Sequence, residues 1–112
     1  SELQTIDNLQ QKEFERLRLQ GTSITSLPDG LTVRILLDLA ECSNLQKLPD
    51  YLSAFLLNIR RTPISDIPKH LNANELAWID TPLYEKFTDQ ALVDEIVYNG
   101  GSPPRLRDIR TK

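Results

Sequence analysis

Cys42 is the single cysteine and His70 the single histidine of this 112-residue chain, so a thiol nucleophile or an imidazole base would have no second copy to work with. A reactive cysteine needs a thiolate held by a nearby base or cation. Cys42 instead occupies a repeated position, the one filled by Thr22 and Thr62 elsewhere, and that assigns it to a buried turn. His70 lies in Pro68-Lys69-His70-Leu71 with no cysteine or acid pair close to it in the chain, whereas a metal site needs three or four ligands, so a solvated imidazole is expected. Asp94 and Glu95 are neighbours on a predicted helix, where adjacent side chains diverge, and they read as solvated surface. The chain shows no Gly-rich phosphate loop, no Ser-His-Asp order beyond the lone histidine and no basic-aromatic platform. The expectation is a protein that is not an enzyme and that uses no metal and no cofactor.

Bulk properties narrow the class further. At 112 residues one domain fits, but not a recognition module with a separate catalytic domain. With 39% hydrophobic residues, 26% charged residues and a net charge of −3, nucleic acid is not the expected partner, although Arg105, Arg107, Arg110 and Lys112 make a basic C-terminal tail. Apolar runs are only a few residues long and no basic-then-apolar leader opens the chain, so neither a membrane span nor a secretory signal is expected. A lone cysteine makes folding independent of an oxidising compartment, and the expected location is a reducing cytosol, the producer's own or a host's.

The elements that hold these residues repeat. Leu17-x-Leu19, Leu37-x-Leu39 and Leu57-x-Ile59 are each followed by Thr22, Cys42 or Thr62 and then by a Leu-Pro or Ile-Pro step at Pro28, Pro49 or Pro68. The first leucine recurs after 20, 20 and 19 residues, and Leu76-x-Trp78 with Thr81-x-Leu83 begins a fourth copy that loses the proline step. Period-two alternation sends the leucines inward on short strands. The Thr or Cys that follows turns inward to satisfy backbone groups in the bend, and because a thiol donates and accepts weakly, the second repeat should be the least well tied. Proline then stops the ladder, and the chain is expected to return in an extended stretch to Leu31, Leu52 and Leu71, too short for a helix. Ser43-Asn44 adds one residue and reads as a small bulge.

Over residues 14 to 83 this pattern resembles the short leucine-rich repeats of about 20 residues, with Leu-Pro steps, found in bacterial effector proteins. The resemblance implies an α/β repeat: a leucine-rich repeat solenoid with a short parallel sheet on its concave face, extended convex returns and a partner protein on the concave side. Thr or Cys stands in the bend where that family often has Asn, and the leading hydrophobic position reads Phe14, Arg34, Ala54, Ala73. Larger effectors of this type can carry a cysteine-dependent ubiquitin ligase domain, for which residues 84 to 112 leave no room.

Around these three and a half repeats, residues 1 to 13 read either as the back half of a preceding repeat, from Leu3-x-x-Ile6 and Leu9, or as an N-terminal cap. Residues 84 to 99 read as a capping helix, with Thr88 as N-cap, a Phe87/Leu92 staple, an apolar face of Leu92, Val93, Ile96 and Val97, and a stop at Asn99-Gly100-Gly101. Residues 100 to 112 read as a flexible basic tail.

Counting outward from the inward leucines places Arg16, Arg18, Leu36, Asp38, Leu56, Asn58, Arg60, Glu75 and Ile79 on the concave face. An apolar centre at Leu36 and Leu56 with charge at its margins is the build of a protein interface. The expected function is therefore non-enzymatic protein recognition by a monomer, as an effector, adaptor or inhibitor. The rivals are a structural segment of a larger repeat protein and the substrate-binding part of a ligase-type effector.

Overall fold

The computed structural model describes residues 12 to 107, so the half-repeat or cap expected before Lys12, and Arg110 and Lys112 of the tail, lie outside the described residues. Five strands, β1 (Glu13–Arg18), β2 (Leu31–Asp38), β3 (Leu52–Asn58), β4 (Leu71–Ala77) and β5 (Arg105–Arg107), form one parallel sheet in chain order. Two helices, α1 (Pro82–Lys86) and α2 (Asp89–Tyr98), separate β4 from β5. A chain that adds each strand in parallel beside the last must return on the same side every time, and the result is a solenoid-like coil with little helix.

The repeated residues build its core. Leu17, Leu37, Leu57, Leu76 and Leu106 stand opposite one another in register, and the row two residues on, Leu19, Leu39, Ile59 and Trp78, is buried. The returns contribute Ile24, Leu45, Ile64 and Leu83, all buried in the same cluster. Apolar burial of this kind is worth roughly 25 cal/mol per Å², and here no coil could supply it alone, because each row is covered by the coil beside it.

The bend after each strand is tied as its residue types predict, with one exception. The hydroxyls of Thr22, Thr62 and Thr81 donate to the carbonyls of Leu19, Ile59 and Trp78 at 2.8, 2.7 and 2.7 Å. The Cys42 thiol turns away from its own bend and donates to the Leu19 carbonyl of the preceding coil at 2.9 Å. One residue before each of these, Gly21, Glu41, Arg61 and Asp80 take φ of 71°, 62°, 59° and 60°, left-handed values that only glycine adopts without cost.

The strands are longer than the sequence indicates. Leu31, Leu52 and Leu71 do not end the returns; they open β2, β3 and β4, pair with one another and are buried. Gly30 and His70, at φ 84° and 55°, redirect the chain just before two of these strands. The leading inward position is filled by Phe14, Val33, Ala54 and Ala73, so Val33 rather than Arg34 belongs to it, and the register break lies in β2 between Val33 and Leu36.

The fourth return and the tail differ most from expectation. Thr88 caps α2 by accepting the Ala91 N–H at 3.2 Å, and Leu92 and Ile96 are buried, but Val97 is exposed, so the apolar face is narrower than the sequence indicates. Past α2, the Asn99 carbonyl accepts the His70 N–H at 3.0 Å and the Ser102 N–H donates to the Leu71 carbonyl at 3.1 Å. The helices thus take the place of the Leu-Pro return, and residues 105 to 107, expected in a flexible tail, re-enter the sheet as β5 beside β4. No helix among the described residues is long and apolar enough to cross a membrane.

Candidate functional site: the outward face of the sheet

Strand register brings the expected interface residues into two rows. One runs Arg16, Leu36, Leu56, Glu75 and Arg105; the next runs Arg18, Asp38, Asn58, Ala77 and Arg107. Leu36 and Leu56 therefore stand side by side at the middle of the sheet, both half-buried.

Inward alternation breaks once in each strand, and the break shapes this face. Ala54 and Leu57 both point inward, three residues apart, so Phe55 and Leu56 both turn outward; in β2, Val33 and Leu37 are inward and Ile35 and Leu36 share the outward corner. Ile35 is 39% exposed and Phe55 48%. Counting strictly by twos leaves both residues out, and the signal that would have found them is the spacing from Val33 to Leu37 and from Ala54 to Leu57. At the same corner β1 carries Glu15-Arg16 and β4 carries Asn74-Glu75.

Three of the expected residues do other work. Ile79 is only 6% exposed and so belongs to the packed turn rather than to an accessible surface. It follows the strand at the point where the Arg61 N–H donates to its carbonyl, and the same ladder sets Ala40, also buried, beside Arg60. The side chains of Asp38 and Asn58 fold onto their own turns, each Oδ1 accepting the N–H two residues on, Ala40 at 3.1 Å and Arg60 at 3.2 Å. Arg60 keeps its Nε buried without a hydrogen-bond partner among the described residues.

Charge is arranged at two levels. On the strand face the Arg105 guanidinium lies 3.8 Å from Glu75. At the left-handed turn positions Arg61 sits between Glu41 at 2.8 Å and Asp80 at 3.6 Å, and the hydrogen bond and charge of Glu41, followed by Asp80, raise its pKa. These groups are exposed, so the ladder contributes little to stability.

Elsewhere the chemistry-bearing residues are packed. Cys42 is fully buried, with its sulfur 3.7 Å from the Thr22 hydroxyl. His70 is half-buried rather than solvated: its ring stacks on Tyr51 at 4.5 Å and 11°, and Gly100 lies close against the ring. Among the described residues no group of three His, Cys, Asp or Glu gathers at a size that would hold a metal ion. No known family model, curated protein or solved structure matches the chain.

Proposed function

We propose that this chain is a short leucine-rich repeat domain of the bacterial effector type that recognises another protein through the outward, concave face of its sheet, without chemistry of its own. The observation that carries this reading is the contrast between coils. The corner is polar in β1 and β4 and apolar in β2 and β3; β3 has the same spacing between its inward residues as β1 and β4, so that spacing does not require Phe55 and Leu56 to be apolar, and β2, with one residue more, also places Ile35 and Leu36 there. Contiguous exposed apolar side chains with a polar rim are how protein interfaces are built, whereas scattered ones are ordinary surface.

The domain acts as a monomer in this reading, in a reducing cytosol of the producer or of a host cell. Its two edge strands both carry Arg-Leu-Arg, at residues 16 to 18 and 105 to 107, so stacking a second copy end to end in register sets Arg105 against Arg16. A structural segment of a longer array is the second reading, favoured by Leu17 being half-buried where Leu37, Leu57 and Leu76 are fully buried.

The test borrows the polar corners. A variant with Ile35→Glu, Leu36→Arg, Phe55→Asn and Leu56→Glu should melt within a few degrees of the parent and lose capture of a partner that the parent retains from producer or host extracts. If the variant captures the same protein at the same level, this face is not the binding surface.

A further inference from the structure

The arginines of this protein are segregated from its lysines. Five of the eight, Arg16, Arg18, Arg34, Arg105 and Arg107, occupy a strand and Arg60 lies two residues past β3, each next to an inward residue. Of the described lysines, Lys47, Lys69 and Lys86 belong to returns and α1, and Lys12 precedes β1. The chain as a whole is acidic, with a net charge of −3; Asp29, Asp50, Asp66, Glu85 and Asp94 lie away from the sheet, while Glu13, Glu15, Asp38 and Glu75 lie in its strands. A guanidinium presents a planar fork that matches a carboxylate bidentately and is more weakly hydrated than an ammonium, so arginine suits interface ion pairs.

The arginines also frame the apolar corner. Arg16 stands beside Leu36 in register, Arg34 precedes Ile35, and Arg60 follows β3 with its Nε buried and unpartnered. Of the nearby acids, Glu13 and Glu15 share β1 with Arg16, Asp38 is engaged by the Ala40 N–H and Glu75 lies by Arg105. Arg16, Arg18, Arg34 and Arg60 make no ion pair with a described residue.

We propose that the partner of this face is an acidic protein segment, with apolar side chains seated on Ile35, Leu36, Phe55 and Leu56 and flanking carboxylates taken by Arg16, Arg34 and Arg60. The proposal rests on the protein-recognition reading above and adds the partner's chemistry to it. Nucleic acid fits less well, because a phosphate backbone needs a continuous basic track, and here apolar side chains hold the centre of the face.

The experiment is selection of a displayed random peptide library on the intact chain at low salt, with Leu36→Ser/Leu56→Ser as the counter-target. Enriched peptides should carry Asp or Glu beside Leu or Phe. A synthesised representative should bind about tenfold more weakly to the Arg16→Gln/Arg34→Gln/Arg60→Gln variant, and more weakly to the parent as salt rises to about 0.3 M. Should the triple variant melt early, the salt series on the parent still decides. Neutral or basic peptides that bind the parent, ignore salt and are lost on the serine variant overturn the acidic partner while leaving the face as a protein site. Peptides that bind parent and serine variant alike, or no enrichment at all, overturn both. A labelled random-sequence DNA duplex that binds more tightly than the peptides and is lost on the arginine variant overturns both in favour of nucleic acid.

Discussion

Replacing Gly101 with alanine should release β5 and cost more than the same change at Gly21. A Cβ at Gly101 would overlap the Leu71 carbonyl oxygen and stand 2.9 Å from Ile96 Cγ2, so the backbone has to withdraw. That carbonyl oxygen accepts the Ser102 N–H at 3.1 Å, and the Gly101 N–H donates to the Ile96 carbonyl at 2.9 Å. Withdrawal breaks both bonds, at about 1 kcal/mol each. It also uncovers the half-buried Leu106, for roughly another 1 kcal/mol. The expected loss is about 3 kcal/mol, a large share of the roughly 5–15 kcal/mol that holds a domain folded. Gly21 has φ 71° and open space around it, so alanine there meets only the left-handed penalty of roughly 1–2 kcal/mol. Denaturant unfolding of the two variants gives the difference, and hydrogen exchange at the Leu106 amide shows whether β5 has left the sheet. Equal losses for the two variants, with Leu106 still protected, would refute the close approach and with it the re-entry of the chain beside β4.

Cys42→Ser should keep partner binding within a few-fold, and the native thiol should resist iodoacetamide until the protein unfolds, because its sulfur is buried and donates to Leu19. Asp80→Gly should stabilise the fold by roughly 0.5–1 kcal/mol in a thermal melt, since it relieves a left-handed residue and gives up only an exposed 3.6 Å contact with Arg61. Truncation after Thr81 should cause aggregation or unfolding, seen by light scattering and circular dichroism, because Leu83, Leu92 and Ile96 are part of the core cluster; a soluble product with the parent's melt would contradict that role. Sedimentation should find a monomer at low salt and a larger species as salt screens Arg105 from Arg16 of a second copy; a salt-independent monomer would remove charge as the reason.

Much of the fold is legible in the sequence because one geometry is written several times. Leu17, Leu37, Leu57 and Leu76 recur at nearly constant spacing, and their parallel register follows from that. What escaped has local causes. The extra residue in β2 near Arg34-Ile35 and the extra residue at Ser43-Asn44 fall in successive coils, so the spacing from Leu17 to Leu37 equals that from Leu37 to Leu57 and hides both. A ladder that stops at proline makes Leu31, Leu52 and Leu71 the ends of returns, although Leu31-x-Val33, Leu52-x-Ala54 and Leu71-x-Ala73 each have the period of a strand. β5 escaped because α1 and α2 lengthen the spacing from Leu76 to Leu106 beyond any repeat, and its signal was the second Arg-Leu-Arg. Of the candidate site, Leu36 and Leu56 follow from alternation, while Ile35 and Phe55 become visible only once the corner is known.

A repeat protein supplies its own comparison, because positions that stack in register share a backbone and differ only in side chain, and only the extra residue of β2 between Val33 and Leu36 departs from this in the strands. Where all coils agree, as in the inward leucine row, the residue answers to the coil and reveals nothing about a partner. Where they disagree, the coil is satisfied in more than one way and another demand has chosen. At the bend, Thr and Cys both serve, so Cys42 needs no chemical role. At the left-handed position, Gly21 serves without strain while Glu41, Arg61 and Asp80 accept it, and the alternating charges that result show what occupies the turn rather than what binds it. At the corner, Glu15-Arg16 and Asn74-Glu75 serve, while Ile35 and Phe55 accept exposure that water disfavours. An apolar pair chosen twice, in β2 and β3, where polar residues suffice in β1 and β4 on either side, is the pattern that the proposed binding surface would leave in a repeat.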